Sequence, residues 1–511
     1  MASQRDQVQA YGFLTGRLSS ALVRADADAP RTPLHRTASG SSIGLVLGLL
    51  AGAGLLVWGL ISPAGPQGWK ADGTVVVDSA TGARYVYSSG VLYPVLNFSS
   101  ALLVGGGKAP VAVSDSEVAG VPHGQPLGIL GAPDALPAAS RLTAGPWLVC
   151  ASTRTAPDGS TSPVSTLRLG AAPKAAAGGG TGGATGAGIA AVGADQALLV
   201  SDPAGIRYLV WEGSRLRVPA PWTLGALGLA GAEPLAVGYA FLDAVPAGPD
   251  LASPAVGTLG AAGPTVNGVA SKVGQLFTVR QAGVPDQYFA ARADGLTPLT
   301  DTGVDLMRND PEVRASAYGG GAVEPTLLSS LAGVPLSSAA SAAGSTAAAG
   351  SPAGSAAPGL PPRPPHALPS GARVQIPCAR ITFAGATQQV DLVTAPAAAA
   401  AGLPAVSGTA VTADARTADV FAVPPGGGAV VIALTGGGVP GDAHYVVADS
   451  GVKYPVPDTT ALDHLGYHGV AVVEVPQTLL ALLPTGPALD PAAAAGAVSG
   501  LAPSAHASAG G

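Results

Sequence analysis

The sequence predicts an α+β chain: one transmembrane helix followed by an elongated extracytoplasmic region of about four small α+β repeat modules around a central β-rich domain. Three observations carry this reading. An uncharged run covers Ile43–Ile61, an Asp-to-Gly turn recurs between Val- and Tyr-rich segments, and two cysteines stand far apart in the outer region. At 511 residues the chain is too long for one ordinary domain. A net charge of −6 without a basic stripe argues against nucleic acid as a partner. Charged residues are only 11% of the chain and aromatics 5%, so the core must be built mainly from Val, Leu, Ala and Tyr.

The apolar run IGLVLGLLAGAGLLVWGLI spans roughly 28 Å as a helix, close to the hydrocarbon thickness of a bilayer. Pro63 and Pro66 end it, and Trp58 lies near one interface. Arg24, Arg31 and Arg36 precede it, and the next basic residue is Lys70. The positive-inside rule therefore puts the N-terminus in the cytosol and the chain beyond about residue 62 outside. The alternative, a cleaved signal peptide, fits less well: the preceding region is too long and the apolar run exceeds a usual h-region. Gly44, Gly48 and Gly52 form a small-xxx-small face that suits a partner helix, although glycine is abundant enough in this chain to produce such a spacing by chance.

Before the membrane, residues 4–24 read as an amphipathic helix, with Val8, Tyr11, Leu14, Leu18 and Leu22 at three- and four-residue steps. A lone helix of this length cannot bury its own apolar face. Its mixed-charge polar face suits a protein partner better than a lipid surface.

Beyond the membrane, three stretches share a local pattern: Asp78 to Gly82 with Arg84-Tyr85, Asp202 to Gly205 with Arg207-Tyr208, and Asp449 to Gly451 with Lys453-Tyr454. A looser fourth runs through Gln287-Tyr288-Phe289 to Asp294-Gly295. Asp followed by Gly makes a tight turn, the flanking runs make strands, and a capped helix follows, as at Ser99–Leu103 and at Asp458–Leu462. The expected organisation is a cytosolic tail over 1–42, a transmembrane helix over 43–62 and module 1 over 70–138. The central domain starts over 141–170, a flexible insert covers 171–193, and modules 2 and 3 cover 194–260 and 265–330. A Ser/Ala/Pro-rich linker over 335–370, stiffest around Pro361–Pro365, leads to the second part of the central domain over 371–435. Module 4 over 440–490 and a disordered tail over 491–511 complete the chain.

Cys150 in PWLVC and Cys378 in QIPC both end short strand-like runs in the exported part. In an oxidising compartment a lone pair most simply forms one disulfide, worth roughly 5 kcal/mol at most for so long a loop. It would join the two central segments into one domain. Two thiols without a histidine cluster do not make a metal site, and no cofactor is expected.

Chemistry is sparse. Gly40-Ser-Ser42-Ile-Gly44 matches the nucleophile-elbow pattern but has no strand before it. Gly105-Gly-Gly-Lys108 hints at a phosphate loop, yet Leu102 and Ala109 break the Walker pattern twice. His464 and His468 lack a third ligand. No catalytic residue is singled out.

Several segments resemble EccB, a membrane component of type VII (ESX) secretion systems: Arg5-Asp-Gln-Val8-Gln-Ala-Tyr11-Gly-Phe13-Leu14, Arg17-Leu18, Asp28-Ala-Pro30, Leu92-Tyr-Pro94-Val95-Leu96-Asn97, Gly128-Ile-Leu-Gly131-Ala-Pro133, Gly274-Gln-Leu-Phe277 and Gly451-Val-Lys-Tyr454-Pro-Val456. The resemblance covers about residues 4–495. It implies a non-catalytic structural subunit of an inner-membrane complex, with an EccC-like motor ATPase, an EccD-like channel subunit, EccE in some systems and the protease mycosin as partners. It also implies self-association of the outer regions, as a hexamer in the full assembly. Members of this family are sometimes labelled ATPases, which the residues here do not support. A membrane-anchored cell-wall-binding protein is the rival reading; the scarcity of aromatics and the lack of a marked carboxylate pair speak against it.

Overall fold

The computed structural model describes residues 4–25, 40, 42–52, 68–170, 188–317, 323–326, 331, 333–337, 359–369, 375–406, 408, 410–436 and 438–497. The described chain divides into two compact units: residues 1–74 with 87–90, and residues 75–86 with 91 onward. In the first unit the helix Gln4–Arg24 starts with Asp6 in its first turn and stops at Ala25, whose positive φ of 56° ends the helical path. Residues 42–52 are also helical. Among the described residues no helix is long and apolar enough to cross a membrane; residues 53–62 of the expected span lie outside them. Trp69 packs edge-on against Tyr87 at 5.6 Å in the same unit.

Four sheets share one strand order, third–second–first–fourth. Their first strands are Thr74–Asp78, Gln196–Ser201, Leu276–Gln281 and Ala429–Leu434. In each, the fourth strand returns parallel to the first: Val111–Val113, Leu235–Ala236, Glu324–Thr326 and Val473–Pro476. A parallel return needs a crossover, and a helix supplies it. These helices are Phe98–Gly105, Pro221–Ala226, Asp301–Asn309 and Thr459–His464. Asn97, Thr300 and Asp458 cap three of them by accepting from Ser100 N, Gly303 N and Ala461 N, and Pro221 opens the other at its first turn.

Each sheet is closed by the same backbone device. The third strand donates to a proline carbonyl and accepts from the N–H two residues later. The pairs are Leu92 with Pro122 and Gly124, Arg215 with Pro246 and Gly248, Leu296 with Pro335 and Ser337, and Lys453 with Pro484 and Gly486. The glycines are steric: a Cβ at Gly124 would overlap the Tyr93 ring, and one at Gly486 the Tyr454 ring.

A separate sheet has seven strands. It is built on the hairpins Trp147–Thr155/Thr161–Leu169 and Gln375–Ala384/Thr387–Pro396. Trp147, Val149 and Ala151 face a core shared with Leu198 and Val210 of the second small sheet, with Val431 and Val475 of the fourth, and with Phe241 and Leu479 of the helices Tyr239–Ala244 and Gln477–Leu480. Leu148 and Cys150 face the other side, under the helical turn Ala397–Ala400. With both faces covered, the strand reads as an unbroken apolar run rather than an alternating one.

Several boundaries differ from the expected ones. Ala429–Leu434 was expected in the central domain, yet it pairs with Pro440–Val447 and opens the fourth small sheet. Asp449–Gly451 does not sit at the turn occupied by Asp78–Gly82 and Asp202–Gly205. It joins the second and third strands, as Asp294-Gly295 does. Both turns demand the same residues, so local chemistry does not tell them apart. Residues 491–497, expected to be disordered, include a helix Pro491–Ala494 capped by Asp490, with Ala494 fully buried. From the insert, Ala190–Ala191 form an edge strand on the central sheet; residues 171–187 lie outside the described residues, as do 498–511. From the linker, residues 335–337 close the third small sheet and 359–369 lie packed, while 338–358 lie outside the described residues.

Candidate functional site

The helix Gln4–Arg24 carries the stripe Val8, Tyr11, Leu14, Leu18 and Leu22, each between 59 and 82% exposed. On the opposite side the Arg17 guanidinium lies 5.7 Å from the Phe13 ring. A face of five large apolar side chains left to water is costly, and contact with a partner would recover that cost. Gly44, Gly48 and Gly52 fall on the described helical residues 42–52, and among the described residues no neighbour comes within 4 Å of where a Cβ would stand.

In the larger unit the central feature is the cystine. Cys150 stands directly opposite Cys378 across an antiparallel pair, and their sulfurs are bonded at 2.08 Å. Both are fully buried. The turn above them is held by Arg168, which donates from Nε to Ala399 O at 3.2 Å and from a terminal nitrogen to Ala401 O at 3.0 Å. An arginine is suited to this, since one planar group reaches several carbonyls at a helical C-terminus.

Gly105–Lys108 is not arranged as a phosphate cradle. Gly106 and Gly107 follow the C-terminus of the helix Phe98–Gly105, and Gly106 adopts a left-handed conformation that donates its N–H to Leu102 O. A helix C-terminus presents carbonyls and the negative dipole end, the wrong polarity for phosphate. Gly107 is also tight, because a Cβ would come within 3.1 Å of the His464 backbone. His468 pairs with Asp463 at 3.2 Å, and among the described residues no three metal-ligating groups converge. Ser42 of the elbow-like pattern is helical, and Ser41 lies outside the described residues.

Two features were not singled out from sequence. One is the Pro-x-Gly closure, legible as Val121-Pro-His-Gly124, Val245-Pro-Ala-Gly248 and Leu483-Pro-Thr-Gly486, a spacing that recurs after three of the four crossovers, with Pro335-Leu-Ser337 after the other. The other is Lys453, whose buried ammonium donates to Leu480 O at 2.5 Å and Leu483 O at 2.7 Å. Burial pushes its pKa down to about 8, outweighing the field of Asp414. An unfolded lysine keeps its value near 10.5, so between about pH 8 and 10.5 the unfolded chain holds more protons than the folded one. Stability should therefore rise through that window, by at most on the order of 3 kcal/mol, and be flat below it. Denaturant melts of wild type and Lys453→Met at pH 7.5 and 9.5 check this: the variant should lose the rise.

The model of the family described as the type VII secretion system ESX-1 transport transmembrane domain B, EccB, matches residues 1–503. The chain belongs to the EccB family. Among curated relatives, EccB2 of the ESX-2 system of Mycobacterium tuberculosis (strain ATCC 25618 / H37Rv) is 29% identical over 325 residues, covering 63% of this chain and 61% of the relative. EccB5 of the ESX-5 system of Mycobacterium marinum (strain ATCC BAA-535 / M) is 32% identical over 319 residues, covering 60% and 59%. Both are named as secretion system ATPases. The chain thus spans about three fifths of the length of these relatives. Among solved structures, a chain of an intact ESX-5 inner membrane complex superposes with a TM-score of 0.62 at 25% identity, covering 98% of this chain and 97% of that one. A chain of the EccB3 dimer from the ESX-3 core complex also gives 0.62 at 25% identity, covering 83% and 100%. This EccB-family chain therefore has the mixed α+β fold of those assemblies.

Proposed function

We propose that this EccB-family chain is a non-catalytic structural subunit of a type VII secretion membrane complex, supporting assembly and the extracytoplasmic part of the export path. The observation that carries this is the end-to-end likeness to a chain of the ESX-5 inner membrane complex. The exposed stripe of the helix Gln4–Arg24 supports it further. The chain crosses the inner membrane once over 43–62, close-packed against a partner helix at Gly44, Gly48 and Gly52. Its N-terminus is cytosolic and its four modules and central domain lie outside. The stripe docks on an EccC-like motor ATPase or an EccD-like channel subunit, with the mycosin protease and, as in some systems, EccE as the further candidate partners. The outer regions associate with one another, in keeping with the dimer solved for EccB3, as a hexamer in the full assembly. Against ATP hydrolysis stands the polarity of the Gly105–Lys108 segment, which follows a helix C-terminus.

The test is isolation of the tagged full chain in mild detergent beside the variant Leu14→Asp/Leu18→Asp. Wild type should bring down the motor and channel subunits at stable stoichiometry, and the variant should lose at least about tenfold of them. Two aspartates on a buried apolar face cost several kcal/mol, far more than a tenfold loss requires. Recovery of the intact complex with the variant would refute the docking role.

A further inference from the structure

The segment Gly359–Pro369, expected from its composition to be a spacer, is bonded along its length to two modules. Its Pro362 O accepts from Thr302 N at 3.5 Å, and Arg363 Nε stands 3.4 Å from Asp301 Oδ2, both on the first turn of the third module's helix Asp301–Asn309. A few residues on, His366 N donates to Asp195 O at 2.7 Å and Leu368 N to Ala197 O at 2.8 Å. His366–Ala367 thereby add a parallel strand to the second module's first strand at Gln196-Ala197. Leu360 and Ala367 pack on a core made of Leu199, Leu216 and Leu224 of the second module and Leu306 of the third.

The slot is left open by the fold. The second module's own fourth strand, Leu235–Ala236, covers only Val200-Ser201. The fourth module leaves the same kind of gap, since its fourth strand pairs with the first only from Val431 onward. There another connector fills it: Leu142 bridges in parallel to Gly428, and Thr143 N donates to Gly428 O at 2.9 Å. Both connectors run on into the central strands that bear Cys150 and Cys378.

The proline content fits the task. Five of the eleven residues 359–369 are proline. A proline brings no N–H, so Pro361 and Pro365 can be buried without leaving an orphaned donor. Such a chain is also already extended, so little entropy is lost on docking.

We infer that residues 359–369 act as a built-in peptide ligand that clamps the second and third modules into one body, through a strand-addition slot that accepts an extended, proline-rich segment. The clamp is a property of the fold and does not rest on the role in secretion.

Hydrogen exchange on the full chain in detergent tests this, using Leu360→Asp. Exchange should rise at least about tenfold in both Gln196–Ser201 and Asp301–Asn309, while Ala429–Leu434 in the fourth module stays unchanged. A synthetic peptide of residues 359–369, added in excess to the variant, should restore protection at both segments. If Leu360→Asp raises exchange throughout the chain, Leu360→Ala replaces it with the same expectation at a smaller rise. Faster exchange confined to 359–369 would overturn the clamp, as would a peptide that leaves both module segments exchanging fast.

Discussion

Replacing Cys150 and Cys378 together by alanine should lower the stability of the larger unit by about 4 kcal/mol, read as a fall of roughly 4–5 °C in its thermal midpoint. The size follows from what lies between the two residues. Their separation is 228 positions, and the second and third small sheets lie wholly within it in the chain. Without the bond, the two central hairpins are held by the ladder between Trp147–Thr155 and Gln375–Ala384, by their shared apolar core and by the Arg168 bonds to the turn Ala397–Ala400. The unfolded chain then gains the freedom of a very long loop. Both sulfurs are buried beneath Ala397–Ala400, so alanine also leaves small voids. Thermal melts of the detergent-solubilised chain, with thiol labelling to verify the wild-type bond, give the comparison. A midpoint unchanged within 2 °C would mean that the shared core, not the cystine, holds the hairpins together.

How legible this fold is depends on the range over which each signal acts. The strand–turn–strand units, the helix start at Asp458 and the apolar runs ending in the two cysteines are local, and their residues announce them. The closures are not local: Leu92 meets Pro122 and Lys453 meets Pro484 about thirty positions on, so a Pro-x-Gly triplet looks like one more turn until its partner strand is known. The same holds for Pro361–Pro365, where composition alone does not distinguish a free spacer from a docked strap. The misplaced Asp449–Gly451 shows a different limit. The two turns of each hairpin pair use the same residues, and only the strand pairing identifies which turn is which. The stripe of Gln4–Arg24 was legible from its periodicity alone, and among the described residues nothing covers it.

The glycines at those second turns separate docking from local conformation, and they carry the other large effect. Gly213 has φ 72° and Gly451 φ 81°, values that favour glycine. Each also faces the central sheet at a distance no side chain could occupy. A Cβ on Gly213 would penetrate the Val390 carbonyl, and one on Gly451 the Phe421 ring. Gly82 and Gly205 share the backbone conformation, at φ 73° and 82°, but have no atom within 4 Å of a Cβ. Alanine at Gly82 or Gly205 should therefore cost only the left-handed strain, about 1 kcal/mol. Alanine at Gly213 or Gly451 adds the displacement of a docked turn, for a total of roughly 3–4 kcal/mol. The Phe421 ring can shift and the Val390 carbonyl cannot without breaking the strand Thr387–Pro396, so Gly213→Ala should be the worse of the two. Denaturant melts give the costs, and limited proteolysis shows where the chain opens: Gly213→Ala should release the second module and spare the first. Equal costs at all four glycines would mean that backbone conformation alone accounts for them, and that these modules are held to the central sheet by their side-chain core rather than by the close approach of their turns.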